Sequence, residues 1–247
     1  MNQPTGRRQV LYDVIAGNAD TTSPDENLLI GENKRTFVSQ GVQSTVVHRA
    51  EGDGWAHRAE VGLRVHNDSI DRDHSQAPFA MVNNRPVRQE APSPTLDNTG
   101  RTTAFAAFFF EQFSWSRLTL APGVRVEHYR QSLTNDATGS SVENDDTVVV
   151  PGVGLNVELI DHLSALAGVH RGFSPTAPGQ AGVESETSIN YEAGLRYSDS
   201  KQDRLLEAVA FLNDYDNLVG DCAFSAGCDE SDLDRQFNGG AVNVVGA

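Results

Sequence analysis

Residues 55–66 read Trp-Ala-His-Arg-Ala-Glu-Val-Gly-Leu-Arg-Val-His. Ala59, Val61, Leu63 and Val65 fall on one side of a two-residue repeat, and Arg58, Glu60, Arg64 and His66 on the other. Successive side chains of an extended chain point to opposite faces, so this alternation predicts a strand with one apolar face. The run is longer than the roughly five or six residues of an ordinary strand and matches the about 9–11 residues that a tilted strand needs to cross a bilayer. The same pattern returns at Leu118, Leu120, Pro122, Val124 and Val126, at Val149, Pro151, Val153, Leu155, Val157 and Leu159, and at Ile189, Tyr191, Ala193, Leu195 and Tyr197. Helical periodicity is almost absent.

Working outward, nine strands are predicted, over 36–50, 54–66, 102–114, 117–130, 148–159, 162–173, 187–198, 204–214 and 236–245. Short gaps alternate with long ones. The short gaps lie near Glu51–Asp53, Trp115–Ser116, Ile160–Asp161 and Asp199–Asp203, and the long ones near Asn67–Arg101, Gln131–Thr147, Ser174–Thr187 and Tyr215–Arg235. An antiparallel up-and-down meander puts alternate connections at opposite ends, so all long loops share one rim. That asymmetry belongs to transmembrane barrels of the outer-membrane type. Trp55, Trp115, Tyr129, Tyr191 and Tyr197 sit near strand ends, where an aromatic girdle is expected. The long gaps also collect acid: Asp68, Asp71 and Asp73, then Asp136, Glu143, Asp145 and Asp146, then Asp221, Asp229, Glu230, Asp232 and Asp234.

Composition narrows the function. The 247 residues carry 19 Lys plus Arg against 34 Asp plus Glu, a formal net charge of −15. That charge disfavours a nucleic-acid backbone as the main partner, because phosphate binding needs a basic face. The longest apolar run, Ala104–Phe110, is far short of a membrane-spanning helix, and the first ten residues lack the apolar core of a signal peptide. No catalytic constellation is present: there is no GxSxG, HExxH or phosphate loop. Pro151-Gly152-Val153-Gly154 resembles the start of a dinucleotide fingerprint, but Val157 occupies its third glycine position and no helix pattern follows. His66, Asp68, Asp71, Asp73 and His74 could gather round a metal, yet the spacing lacks the Gly and terminal Glu of a calcium loop. Neither an enzyme nor a resident cofactor or metal is expected. Cys222 and Cys228 have neither zinc-knuckle nor CxxC spacing. A local loop disulfide is the main reading, which implies an oxidising compartment, and two unpaired thiols are the other.

Five stretches carry a family resemblance: Leu120-Ala121-Pro122-Gly123-Val124-Arg125-Val126-Glu127, His170-Arg171-Gly172-Phe173-Ser174-Pro175, Ile189-Asn190-Tyr191-Glu192-Ala193-Gly194-Leu195-Arg196-Tyr197, Phe211-Leu212-Asn213-Asp214-Tyr215-Asp216-Asn217-Leu218, and the ending Phe237–Gly246. In this order they resemble the barrel of a TonB-dependent outer-membrane siderophore receptor, over residues 36–247. The loop holding Cys222 and Cys228 resembles the ferric dicitrate branch.

The resemblance implies uptake of a ferric siderophore, ferric citrate among the candidates. It also implies contact with outer-membrane lipid and with a TonB-type energy-transducing complex. The family's plug domain is not visible in the sequence, and the family barrel has more than nine strands, so a partial barrel is expected, with residues 1–35 as an external loop or irregular segment. An anionic chelate would be met by guanidinium groups on the long-loop rim, and Arg85 and Arg88, beside Asn83, Asn84 and Gln89, are the expected contacts. The rival reading is a soluble β-sandwich module of the adhesin kind. It accounts for the acidity and the strands, and poorly for their length and for the loop alternation.

Overall fold

The computed structural model describes residues 12–13, 16, 20–21, 24, 27–180, 182–199, 204–222 and 236–247. They form twelve strands: β1 (Leu28–Gly52), β2 (Trp55–Val82), β3 (Arg85–Arg88), β4 (Ser93–Trp115), β5 (Leu118–Asn135), β6 (Ser141–Ile160), β7 (Leu163–Ser174), β8 (Glu186–Ser198), β9 (Leu205–Asp216), β10 (Val219–Asp221), β11 (Gln236–Asn238) and β12 (Val242–Gly246). The main sheet has the order β1-β2-β4-β5-β6-β7-β8-β9-β12, with β3 added to β2, and β10 pairs with β11 in a separate ribbon. Sequence neighbours are sheet neighbours, as an antiparallel meander requires.

The strands that begin the chain are longer than predicted. β1 has 25 residues, β2 has 28 and β4 has 23, where about 9–11 suffice to cross a membrane. The predicted loop 67–101 is largely strand: β2 continues to Val82, β3 folds back on it and β4 begins at Ser93. The predicted loop 131–147 likewise shrinks to a turn between β5 and β6, closed by Asn135 and Ser140. Asp68, Asp71 and Asp73 are therefore strand residues. Alternation fades there because a strand segment beyond the bilayer need not keep an apolar face, while its backbone ladder continues regardless of side-chain polarity. The predicted strand 236–245 is broken at Gly239-Gly240, where Gly240 takes φ 91°.

Contacts divide the chain into two units, one of Met1–Val38, Asp68–Arg101 and Leu133–Ser141, the other of Ser39–Asn67, Thr102–Ser132 and Val142–Ala247. The first unit holds the buried Asn27, Leu28, His74, Ala77 and Asn98. Its β2–β3 hairpin turns at Asn83-Asn84 with φ 50° and 58°, the left-handed pair of a type I′ turn. Both turn amides donate to the Asp20 carboxylate, at 2.7 and 3.2 Å.

In the second unit the alternating pattern reappears as geometry. Val61, Leu63, Val65, Phe105, Phe109, Phe113, Leu120, Val124, Val153, Leu155, Ile189, Tyr191 and Leu195 are all exposed, Leu63 by 63%. Register carries the row from strand to strand: Val153 pairs with Val169, Val169 with Tyr191, and Tyr191 with Leu212. The buried hydrophobic core of the described residues is Leu28, Ala77, Ala106, Tyr129 and Val148. A soluble sandwich would bury such a face against a second sheet; a lipid-facing wall leaves it bare. The sandwich reading is accordingly not favoured. Trp55 and Trp115 are exposed on this wall, whereas Tyr129 is 2% exposed and does not join a girdle.

Candidate ligand-facing surfaces

In the first unit, one polar face is shared by β1, β2 and β4. Arg72 and His74 alternate along β2 and so point the same way. Arg35 Nε donates to His74 Nε2 at 3.2 Å, and Arg72 Nη1 donates to Asn98 Oδ1 at 3.2 Å. Accepting at Nε2 places the ring proton of a neutral His74 on Nδ1. His74 and Asn98 are each only 8% exposed. Burial, and secondarily the nearby Arg35 guanidinium, pull the Arg72 pKa below the ordinary arginine value. Among the described residues neither Arg35 nor Arg72 has a carboxylate within ion-pair distance. Two neighbouring cations, each with unused N–H donors, form a surface to which an anion would bring both charge and acceptors.

The structure places Arg85 and Arg88 at the two ends of β3, both exposed, opposite Val82 and Phe79 of β2. An odd spacing puts them on opposite faces of the strand, so they do not converge on one point. The His66–His74 set is dispersed as well: His66 bonds Ser39, Asp73 pairs with Lys34 and His74 accepts from Arg35. Arg35, Arg72 and Asn98 were missed by sequence reasoning. The signal lay in the alternation of Arg72 with His74, legible once 67–82 is read as strand.

In the second unit the face opposite the apolar row holds a groove of about 740 Å³, floored by Gly152, Gly154, Gly168 and Gly194 and walled by Arg125 and Arg196. Glycines on a strand permit another chain segment to approach the backbone closely. Arg196 and Glu207 are register partners and bond at 2.5 Å, and Arg125 pairs with Glu127 two residues on. A separate recess of about 790 Å³ is lined by Glu143, Asp145, Asp146, Glu184 and Asp216, with Arg171 also on its lining. It is roofed by the β7–β8 connection, which is pinned by Tyr129 Oη to Ser185 Oγ at 2.6 Å and by Gln131 Nε2 donating to the Thr176 carbonyl at 3.0 Å. The same connection is tied to β11, where Ala177 N donates to Gln236 Oε1 at 2.8 Å and Asn238 Nδ2 to the Glu184 carbonyl at 3.0 Å. Part of the acidity expected on one rim is therefore concentrated in this recess. Asp229, Glu230, Asp232 and Asp234 lie outside the described residues, as does Cys228. Cys222 follows β10 and is not a free thiol.

The family model described as TonB dependent receptor-like, beta-barrel matches residues 4–247. No curated protein sequence matches the chain. Among solved structures, the unliganded ferric citrate transporter FecA is similar with TM-score 0.67 and 22% identity, over 76% of this chain and 29% of that one. The siderophore receptor PiuA from Acinetobacter baumannii is similar with TM-score 0.66 and 13% identity, over 85% and 35%. The ferric yersiniabactin uptake receptor FyuA from Yersinia pestis is similar with TM-score 0.60 and 19% identity, over 88% and 33%. These likenesses concern the fold, and the chain spans about a third of the length of each receptor.

Proposed function

This chain belongs to the TonB dependent receptor-like β-barrel family, and from that premise we propose that it serves as barrel wall in an outer-membrane receptor for uptake of an anionic ferric chelate, ferric citrate being the first to test. The observation that carries the reading is the Arg35–Arg72 pair beside His74 and Asn98. Carboxylates of a chelate would accept from both guanidiniums and relieve their mutual repulsion. The acidic recess around Asp146 and Glu184 would repel the same ligand, so the chelate is assigned to the arginine face. Arg85 and Arg88, exposed on β3, act as separate outlying charges that steer the approach of the chelate. Uptake consists of binding and passage with no covalent step, and passage is driven in the whole receptor by a TonB-type complex.

The test is a titration of ferric citrate into the whole receptor in detergent, followed calorimetrically. Arg35→Ala with Arg72→Ala is expected to weaken binding by at least tenfold, which is about 1.4 kcal/mol. Unchanged affinity in the folded double variant would overturn the substrate assignment and leave the barrel assignment standing.

A further inference from the structure

The apolar outer row of the second unit is interrupted near its short turns by His48, His57 and Glu111. His57 Nδ1 lies 3.0 Å from Glu111 Oε1, and His57 Nε2 lies 3.1 Å from His48 Nδ1. In the neutral ring the carboxylate fixes the order of protons: His57 donates from Nδ1 to Glu111, and its Nε2 then carries a lone pair aimed at His48. Polar groups are costly on a wall that faces lipid. The side chains of His57 and Glu111 are 25% and 21% exposed, while His48 is exposed outright. Trp55 stacks on Phe113 at 6.5 Å and stands 6.2 Å from the His57 ring. Such an aromatic band marks the membrane–water boundary, where water and ions reach the cluster.

We propose that His48 and His57 form a binding site for a borderline divalent transition-metal ion, Cu²⁺ or Zn²⁺, with Glu111 as the outer-shell carboxylate. Three relations support it. Imidazole nitrogen is a preferred ligand for these ions. Two metal–nitrogen bonds of about 2.1 Å place their nitrogens about 3.0 Å apart at a right angle and about 3.4 Å apart at the tetrahedral angle, and the pair here falls inside that interval. The Glu–His order is that of a carboxylate–histidine–metal chain, in which the carboxylate orients the ring and raises its basicity. His48 meets the ion by moving its proton from Nδ1 to Nε2, so no net proton is released by either neutral ring. Among the described residues no three His, Cys, Asp or Glu side chains converge as ligands on one ion. Water completes the coordination, and the affinity sought is that of a two-imidazole site. The site is distinct from the arginine face and does not depend on it.

The experiment is a Cu²⁺ titration of the full chain folded in detergent, read by Trp fluorescence and by electron paramagnetic resonance. Cu²⁺ held by His57 should quench Trp55 and show hyperfine coupling to two nitrogens. His48→Gln and His57→Gln should each remove the two-nitrogen signal, and Glu111→Gln should weaken binding by about 10–100-fold. The exposed His162→Gln, on another turn, should change nothing. Circular dichroism establishes that each variant retains its strands. A signal that survives both His48→Gln and His57→Gln, or absence of binding by the unaltered chain with copper in excess, would overturn the proposal. A Glu111→Gln variant that binds as tightly as the parent would overturn the role given to the carboxylate.

Discussion

The Cα of Gly194 on β8 faces the carbonyl oxygen of Ala208 on β9 so closely that a Cβ there would overlap it, and the same Cβ would stand 2.9 Å from Val209 Cγ2. The obstacle is backbone, which cannot swing aside. At Gly154 the nearest atom to an added Cβ is the Ala121 Cβ, at an ordinary 3.7 Å. Gly194→Val should therefore destabilise the sheet by roughly 1–3 kcal/mol through overpacking, and Gly154→Ala should change stability little. Urea unfolding of both variants in matched detergent checks this. Equal midpoints would mean that β8 and β9 shift apart at little cost.

Arg85 and Arg88 lie on opposite faces of a short exposed strand, so they cannot clamp one carboxylate group together. Rim charges of this kind steer an encounter more than they hold a complex. Arg85→Ala with Arg88→Ala should slow association of ferric citrate with the whole receptor by about two- to threefold at low salt, with the deficit vanishing once the Debye length falls below about 10 Å. The dissociation rate should stay the same. Stopped-flow measurement at two ionic strengths separates these terms, and a change confined to dissociation would instead place both arginines in the bound complex.

The Arg196–Glu207 bond is short at 2.5 Å, yet the side chains remain 44% and 34% exposed. Solvent screening limits such a pair to roughly 0.2–1 kcal/mol. A double-mutant cycle of Arg196→Ala and Glu207→Ala should return a coupling in that range. A coupling several times larger would show that the groove is drier than these exposures imply.

The sequence was most legible where the physics imposed two unlike faces. The alternation over Trp55–His66 and Ile189–Tyr197 was readable because one side meets hydrocarbon, and the exposed Leu63 and Leu195 bear that out. It ceased to be readable over Asn67–Val82, where neither face need be apolar and Asn, Asp and His looked like loop residues. That misreading hid the Arg72–His74 pair, since two residues known to alternate on a strand are candidates for one site and two residues in a loop are not. Arg35 and Asn98 come from other strands, and without the register nothing ties them to Arg72. Tyr129 failed for a related reason: nearness to a strand end was taken for a place in the girdle, while parity along β5 sets it beside Gln131, on the face opposite Val124 and Val126.

Cys222 and Cys228 are proposed as a disulfide closing a small loop. Closure of a loop of this size is worth about 2 kcal/mol on the chain-entropy model. The intact mass of the unreduced chain should be two hydrogen masses below that of the reduced chain, and a peptide joining the two cysteines should be recovered after proteolysis. Recovery of both cysteines as alkylated free thiols without reductant would refute the pairing.

Tyr129 is 2% exposed, its ring stacked on Phe173 at 6.3 Å and its hydroxyl bonded to Ser185 at 2.6 Å. The ring packs within the sheet, whereas the hydroxyl reaches the β7–β8 connection, so the two functions are separable. Tyr129→Phe keeps the stack and leaves the half-buried Ser185 hydroxyl without this partner, at a cost of about 1 kcal/mol. That cost should fall on the connection rather than on the strands, because Gln131 and Gln236 still hold Thr176 and Ala177 at its other end. Hydrogen exchange should therefore quicken about fivefold for amides near Val183–Ser185, the fold-change that about 1 kcal/mol represents, with β5 and β7 protected as before. Tyr129→Ala, which also removes the stack, should loosen Phe173 and β7 as well. If Tyr129→Phe exchanged like the parent, the hydroxyl would have no part in fastening the connection, and the acidic recess beneath it would owe its cover to the Gln131 bond and the β11 contacts.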